Sequence, residues 1–235
     1  MYRYLCQHPD VVEPLGKELH YFSYNYTKGI HWYQSHFPKP SGAADQTFEA
    51  TPYYLFHPTA PARVHALLPD VRLIVLLRNP VDRAFSHYQH SWALGAESLT
   101  FEKALAAEAA RLDGEVARIV DDPAYPGLAH RQFSYFGRGC YADQLEEWLR
   151  YFPRSQMFIA RSEDFYRDTA TVYRQALEFV GLEDFRLASY PRHTGATPWL
   201  GPPLAATTRQ QLEERYASSN IRLAELLGCD FAWND

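Results

Sequence analysis

Apolar residues recur along this chain in two alternating rhythms. Val71–Leu77, "VRLIVLL", is a continuous apolar run between a charged turn and a polar break, the pattern of a strand buried on both faces. Gln156–Ala160 predicts a second strand. Elsewhere the period is helical. It predicts helices over Tyr2–His8 with Tyr4 and Leu5 inward, Pro61–Leu68, Pro80–Trp92, Phe101–Leu112, Ala170–Val180 closed by Gly181, and Thr207–Leu227. A further helix over Tyr141–Tyr151 carries Leu145, Trp148 and Leu149 at helical spacing. Pro38–Asp45, Asp121–Gly127 and Tyr190–Pro203 are turn-rich or irregular from their Pro, Gly and Ser content. Helices alternating with apolar strands predict a single α/β domain over residues 1–235.

Composition narrows the class. Hydrophobic residues make up 46% and charged residues 22%, which suits a globular fold with a sizeable core. A formal net charge of −5 argues against a nucleic-acid partner. Cys6, Cys140 and Cys229 are odd in number and widely spaced, so they suggest neither a disulfide framework nor a metal site. No run reaches the ~18 apolar residues of a membrane span, and the first residues lack a secretory pattern. The expectation is a cytoplasmic protein, with a targeting segment ahead of Met1 left open. Aromatic residues crowd His20–Phe37, "HYFSYNYTKGIHWYQSHF", either as core or as a surface on which sugar rings stack.

The strongest local signal is "LIVLLRNPVDRAFSHYQH". Arg78 follows the strand, Asn79 suits an N-cap, Pro80 the first helical position, and Asp82 complements the helix dipole. Arg78 is thereby expected at the carboxyl end of a parallel strand, where open α/β sheets bind ligands. At 100° per residue, Phe85, Tyr88 and Trp92 share one face, expected in the core, while Asp82, Ser86 and His90 share another. A guanidinium suits phosphate because it donates paired, charge-assisted hydrogen bonds. Metal-dependent P-loop enzymes end one strand in an Asp that helps hold Mg²⁺. Arg78 stands there instead, which counts against a kinase and favours an anion site without metal.

"RNPVDRAFSHY" resembles the 3′-phosphate-binding motif of sulfotransferases that use 3′-phosphoadenosine 5′-phosphosulfate, especially those related to heparan sulfate enzymes and their bacterial relatives. The resemblance implies that Arg78 and Ser86 bind the donor's 3′-phosphate. "KELHYF" resembles the segment that carries the catalytic base, here Glu18, with Lys17 beside it as a second candidate at the reaction centre. In "EATPYYL", Ala50 replaces the Lys common in relatives, so that cation is not carried over. "YQH" places His90 where some N-sulfotransferases keep an active-site histidine; packing is an equal alternative. "RGCYADQLEEWLRYFPRSQ" resembles a further block of the family. "YPRHTGATPW" falls where relatives have a loop closing over the 3′-phosphate and adenine, which makes Thr194, Gly195 and Thr197 candidates. "RSED", at 161–164, reads as a turn and helix cap.

The resemblance implies a P-loop NTPase-like parallel sheet flanked by helices, with its first strand and phosphosulfate loop missing. That strand is expected centrally, between those ending near Leu77 and beginning near Met157, so its loss implies a gap or an unusual pairing. Two explanations stay open: on the order of 10–40 further residues ahead of Met1, enough for one strand and turn, or a relative without activity. The expected reaction moves a sulfuryl group to a hydroxyl or amine, with a carbohydrate as the acceptor the resemblance favours. Weak or absent turnover is expected of the chain as it stands. The alternative is an inactive nucleotide- or carbohydrate-binding relative on the same fold.

Overall fold

The computed structural model describes residues 1–39, 42, 46–191, 199–229, 231 and 233. Its helices are α1 (Tyr2–Leu5), α2 (Ile30–Gln34), α3 (Ala60–Leu67), α4 (Pro80–Ala93), α5 (Phe101–Leu112), α6 (Glu115–Asp121), α7 (Leu128–Phe133), α8 (Tyr141–Leu149), α9 (Ser162–Arg167), α10 (Thr169–Val180) and α11 (Ala206–Leu227). Its strands are β1 (Val11–Val12), β2 (Gln46–Thr47), β3 (Leu73–Leu77) and β4 (Met157–Arg161). β1 pairs with β2 and β3 with β4, both in parallel, so the architecture is α/β as expected.

β3 and β4 run from Leu73 opposite Met157 to Leu77 opposite Arg161. Where the sequence left a gap or an unusual pairing open, the two strands pair directly. Alternation along a strand then sends side chains to two faces. Leu73, Val75, Leu77, Met157 and Ile159 join one core with α3, α8 and the aromatic segment. Ile74, Leu76, Phe158 and Ala160 join another with α1 and α10. Both faces are covered, as a near-continuous apolar strand requires. A third core joins α4, α5 and α11 around Tyr88, Tyr135 and Tyr216.

The long helices match their apolar periodicity to within a few residues. Four short ones do not: α2, α6, α7 and α9 each span fewer than eight residues, too short for a periodic signal. "RSED", expected as a turn and cap, opens α9. Trp92, expected in the core with Phe85 and Tyr88, is 47% exposed. It lies in the last turn of α4, beyond the body of the core, where Trp199 meets its ring edge-on at 5.2 Å. Of the aromatic stretch, Tyr21, Phe22 and Tyr33 are buried in the core, while Tyr24 remains half-buried beside the site described next. Among the described residues no helix is long and apolar enough to cross a membrane.

Candidate active site

Arg78 emerges from the end of β3 with an exposed side chain. Its backbone is held from two sides. The Tyr141 hydroxyl on α8 donates to the Arg78 carbonyl at 2.8 Å. The next backbone N–H, of Asn79, donates to Glu163 Oε1 on α9 at 2.8 Å, and Glu163 Oε2 accepts the Trp233 indole N–H at 3.2 Å. Asn79 caps α4 as expected, its Oδ1 accepting from the N–H groups of Val81 (2.9 Å) and Asp82 (3.3 Å), with Pro80 next to it.

The Arg78 guanidinium has no hydrogen-bond or ion-pair partner among the described residues. Asp82 does not compete for it, because Arg209 of α11 binds Asp82 in a short contact. Ser86 is half-buried a little over two helical turns on from Arg78. An unpaired, exposed guanidinium suits an anion such as phosphate. His90 is exposed in the last turn of α4, without contact to Glu18 or Lys17 among the described residues. Thr194, Gly195 and Thr197 lie outside the described residues.

The second cluster centres on Glu18. Its φ is +58° and that of His20 +54°, left-handed values that non-glycine residues rarely adopt. Such backbone persists where surrounding contacts over-determine it, often where side chains must be aimed. Lys17 Nζ lies 3.6 Å from Glu18 Oε1, and His20 Nε2 lies 3.7 Å from Glu18 Oε2. The His20 imidazole holds the Glu18 carboxyl below the usual range, against the opposing pull of partial burial and with help from the Lys17 charge. The carboxylate is therefore ionised and ready to accept a proton at neutral pH.

A cationic wall stands beside this cluster. The His20 ring stacks on Tyr24 at 4.5 Å, and the Arg131 guanidinium covers the Tyr24 ring at 4.3 Å. Arg138 lies 5.3 Å from the Tyr53 ring centre, and that ring lies 6.2 Å from His20. Arg83 donates to the Tyr135 carbonyl at 3.3 Å and approaches His87 Nδ1 at 3.5 Å. No carboxylate forms an ion pair with Arg83, Arg131 or Arg138 among the described residues. Burial, with the Arg83 charge added, lowers Arg138 to about 9. Burial also lowers His130 to about 4, so that imidazole is neutral and the positive charge here belongs to the guanidiniums. Glu108 accepts the N–H groups of Phe136 (2.7 Å) and Gly137 (2.8 Å) and so fixes the turn bearing Arg138. Like charges held together without acids are relieved by an incoming anion.

The sulfotransferase domain model matches residues 1–195. The chain belongs to the sulfotransferase family. It is 30% identical over 257 residues to mouse heparan sulfate glucosamine 3-O-sulfotransferase 3B1, covering 98% of this chain and 60% of that protein. It is 31% identical over 261 residues to human heparan sulfate glucosamine 3-O-sulfotransferase 6, covering 98% of this chain and 68% of that one. Mouse bifunctional heparan sulfate N-deacetylase/N-sulfotransferase 4 is 30% identical over 254 residues, or 97% of this chain and 28% of its own length. A solved sulfotransferase from Alicyclobacillus acidocaldarius superposes with a TM-score of 0.73 at 28% identity, covering 97% of this chain and 90% of its own. The chain thus spans about 60% of the length of the 3B1 relative.

Within this sulfotransferase domain the sequence-predicted residues fall into two groups. Arg78 directly precedes the Asn79 cap of α4 and Ser86 lies midway along that helix, while Lys17 and Glu18 share one loop. His20 is the functional candidate that the motif reading passed over. Its signal was the two-residue spacing from Glu18, which extended backbone also places on one side, but only the left-handed turn brings imidazole and carboxylate together. Arg131, Arg138, Tyr141 and Glu163 were missed too. Each acts on a site residue distant in sequence, and no local pattern marks it.

Proposed function

We propose that this chain transfers a sulfuryl group from 3′-phosphoadenosine 5′-phosphosulfate to a hydroxyl or amine of an acidic carbohydrate, with Glu18 as the general base. The observation that carries the reading is the ionised Glu18 beside His20 and Lys17, flanked by guanidiniums that lack acidic partners. In the proposed reaction Glu18 takes the acceptor's proton as its oxygen or nitrogen attacks sulfur. The bond from sulfur to the bridging phosphate oxygen breaks, and 3′-phosphoadenosine 5′-phosphate leaves. Lys17, the nearest ammonium to Glu18, stabilises negative charge gathering on the transferring group. His20 sits beside the base and lowers its titration. Arg78 and Ser86 bind the donor's 3′-phosphate. The names of the heparan sulfate relatives agree with an acidic sugar polymer as acceptor, and Arg131 and Arg138 have the charge to hold one.

The first test is calorimetric titration of the chain with 3′-phosphoadenosine 5′-phosphate. Binding that is lost in Arg78→Ala supports the donor site. Binding that survives that substitution unchanged removes Arg78 from it. Transfer of radiolabelled sulfate to desulfated heparan fragments then tests the reaction.

A further inference from the structure

Glu49 lies outside every role given above, yet it is half-buried, with one carboxylate oxygen fully buried, next to the loop that bears the base. Burial raises its carboxyl above the usual range, against hydrogen bonds led by that from Tyr54. Its Oε2 is buried without a hydrogen-bond partner among the described residues. Its Oε1 accepts two hydroxyl protons, from Thr51 at 2.8 Å and from Tyr54 at 2.5 Å. Each of those hydroxyls accepts a backbone N–H from the loop that bears the base: Thr51 Oγ1 from His20 at 3.4 Å, and the Tyr54 hydroxyl from Phe22 at 3.2 Å. A third tie, from the Glu18 N–H to the Ala50 carbonyl at 3.1 Å, joins the same two segments.

The direction of these bonds is determined by chemistry. A hydroxyl has one proton to give and lone pairs to accept with. Glu49 Oε1 has no proton of its own to give in these contacts, so both hydroxyl protons point to it. The lone pairs of Thr51 and Tyr54 are then left facing the N–H groups of His20 and Phe22. Together with the Glu18 N–H held by Ala50, those N–H groups tie down a backbone that is left-handed at Glu18 and His20 and needs support from its surroundings.

We infer that Glu49 is a positioning residue: through the Thr51 and Tyr54 hydroxyls it holds the Glu18–His20 loop in the conformation that sets the imidazole against the base. The inference rests on Glu18 being that base, and its consequences for Glu18 are readable without turnover. Losing the brace separates His20 from Glu18, so the Glu18 carboxyl titrates higher. Loss of a nearby negative charge alone would move it lower, so the sign separates the brace from simple electrostatics.

The experiment follows the Glu18 side-chain carboxyl by carbon NMR through a pH titration in Glu49→Ala, Glu49→Gln, Thr51→Val and Tyr54→Phe. The expected result is an upward shift in Glu49→Ala and in Thr51→Val, with Glu49→Gln, which keeps an acceptor at Oε1, closer to the unaltered chain. If Glu49→Ala fails to fold, Thr51→Val and Tyr54→Phe carry the test, because each removes one hydroxyl and no charge. Where sulfate transfer is measured, kcat falls on the order of ten- to a hundredfold with little change in donor affinity, the scale of a small misplacement of a reacting group. An unchanged or lowered Glu18 titration in folded Glu49→Ala and Thr51→Val overturns the inference. A raised titration together with full transfer activity in Glu18→Gln instead overturns the assignment of Glu18 as base and leaves the brace standing.

Discussion

His20 Nε2 lies 3.7 Å from Glu18 Oε2, across a turn in which both residues have left-handed backbone. The pair gives Glu18 an ionised carboxyl and gives the imidazole a fixed direction. It also links Glu18 to Tyr24 and Arg131, through the stacked His20 ring.

The pH dependence of transfer follows from that pair. Only the ionised carboxylate accepts a proton, and its titration lies below the ordinary value of 4.5. The acidic limb of kcat/KM due to Glu18 is therefore expected below that pH and should move upward in His20→Ala, where the main cause of the depression is gone. A pH–rate profile of both proteins checks this. Glu18→Gln should lower kcat roughly a hundredfold or more, the scale of a lost general base, while leaving the calorimetric affinity for 3′-phosphoadenosine 5′-phosphate in place.

Arg78→Ala should weaken nucleotide binding by roughly 1.5–3 kcal/mol, the value of a hydrogen bond to a charged group. Ser86→Ala, which removes a neutral donor, should cost less. The comparison with adenosine 5′-phosphate, which lacks only the 3′-phosphate, isolates the effect: Arg78→Ala should leave its affinity unchanged.

Arg131→Ala and Arg138→Ala should raise KM for an acidic saccharide on the order of tenfold each, the value of one exposed charge-assisted contact. Donor affinity should stay constant, and a neutral saccharide should be insensitive to both changes. Raising the salt concentration should weaken acidic acceptors selectively, because partly exposed charge pairs are screened.

Acid stability has a different centre. Burial alone would raise the Glu97 carboxyl, but hydrogen bonds from Arg111, the Leu99 N–H and the Tyr135 hydroxyl outweigh it and hold Glu97 at about 2. The folded value is depressed, so its stabilising contribution is present above the ordinary 4.5 and is lost as pH falls towards 2. Glu97→Ala should destabilise the fold by roughly 3–5 kcal/mol near neutrality, as breaking a buried pair does. The gap between the two proteins in urea unfolding should narrow between pH 5 and pH 2.

Gly139 is required by close approach. A Cβ there would meet the Tyr216 hydroxyl at 2.6 Å and its ring at 2.8 Å, and Tyr216 is fully buried. Gly139→Ala should cost roughly 1–3 kcal/mol, as overpacking a core does, and should displace the neighbouring turn that bears Arg138. Thermal unfolding together with the acceptor KM checks both effects.

The sequence by itself determined what is local. The apolar run ending at Leu77, the Asn79–Pro80 cap and the spacing from Arg78 to Ser86 place a strand, a helix start and an arginine at the strand's end, because a few consecutive bonds and the helical repeat suffice to decide them. The long helices α5, α10 and α11 were legible for the same reason, and Glu18 through the motif around it. Tertiary structure decided the rest. The direct pairing of β3 with β4 joins segments 84 residues apart along the chain, as does the bond from the Asn79 N–H to Glu163. The left-handed turn at Glu18 and His20, the two hydroxyls that brace it, and the convergence of Arg131 and Arg138 beside it depend on contacts between separate segments. Local propensity would have disfavoured that turn, and isolated guanidiniums carry no sign of which rings they will cover. Burial and long-range hydrogen bonds select those arrangements, and they act only once the chain has folded.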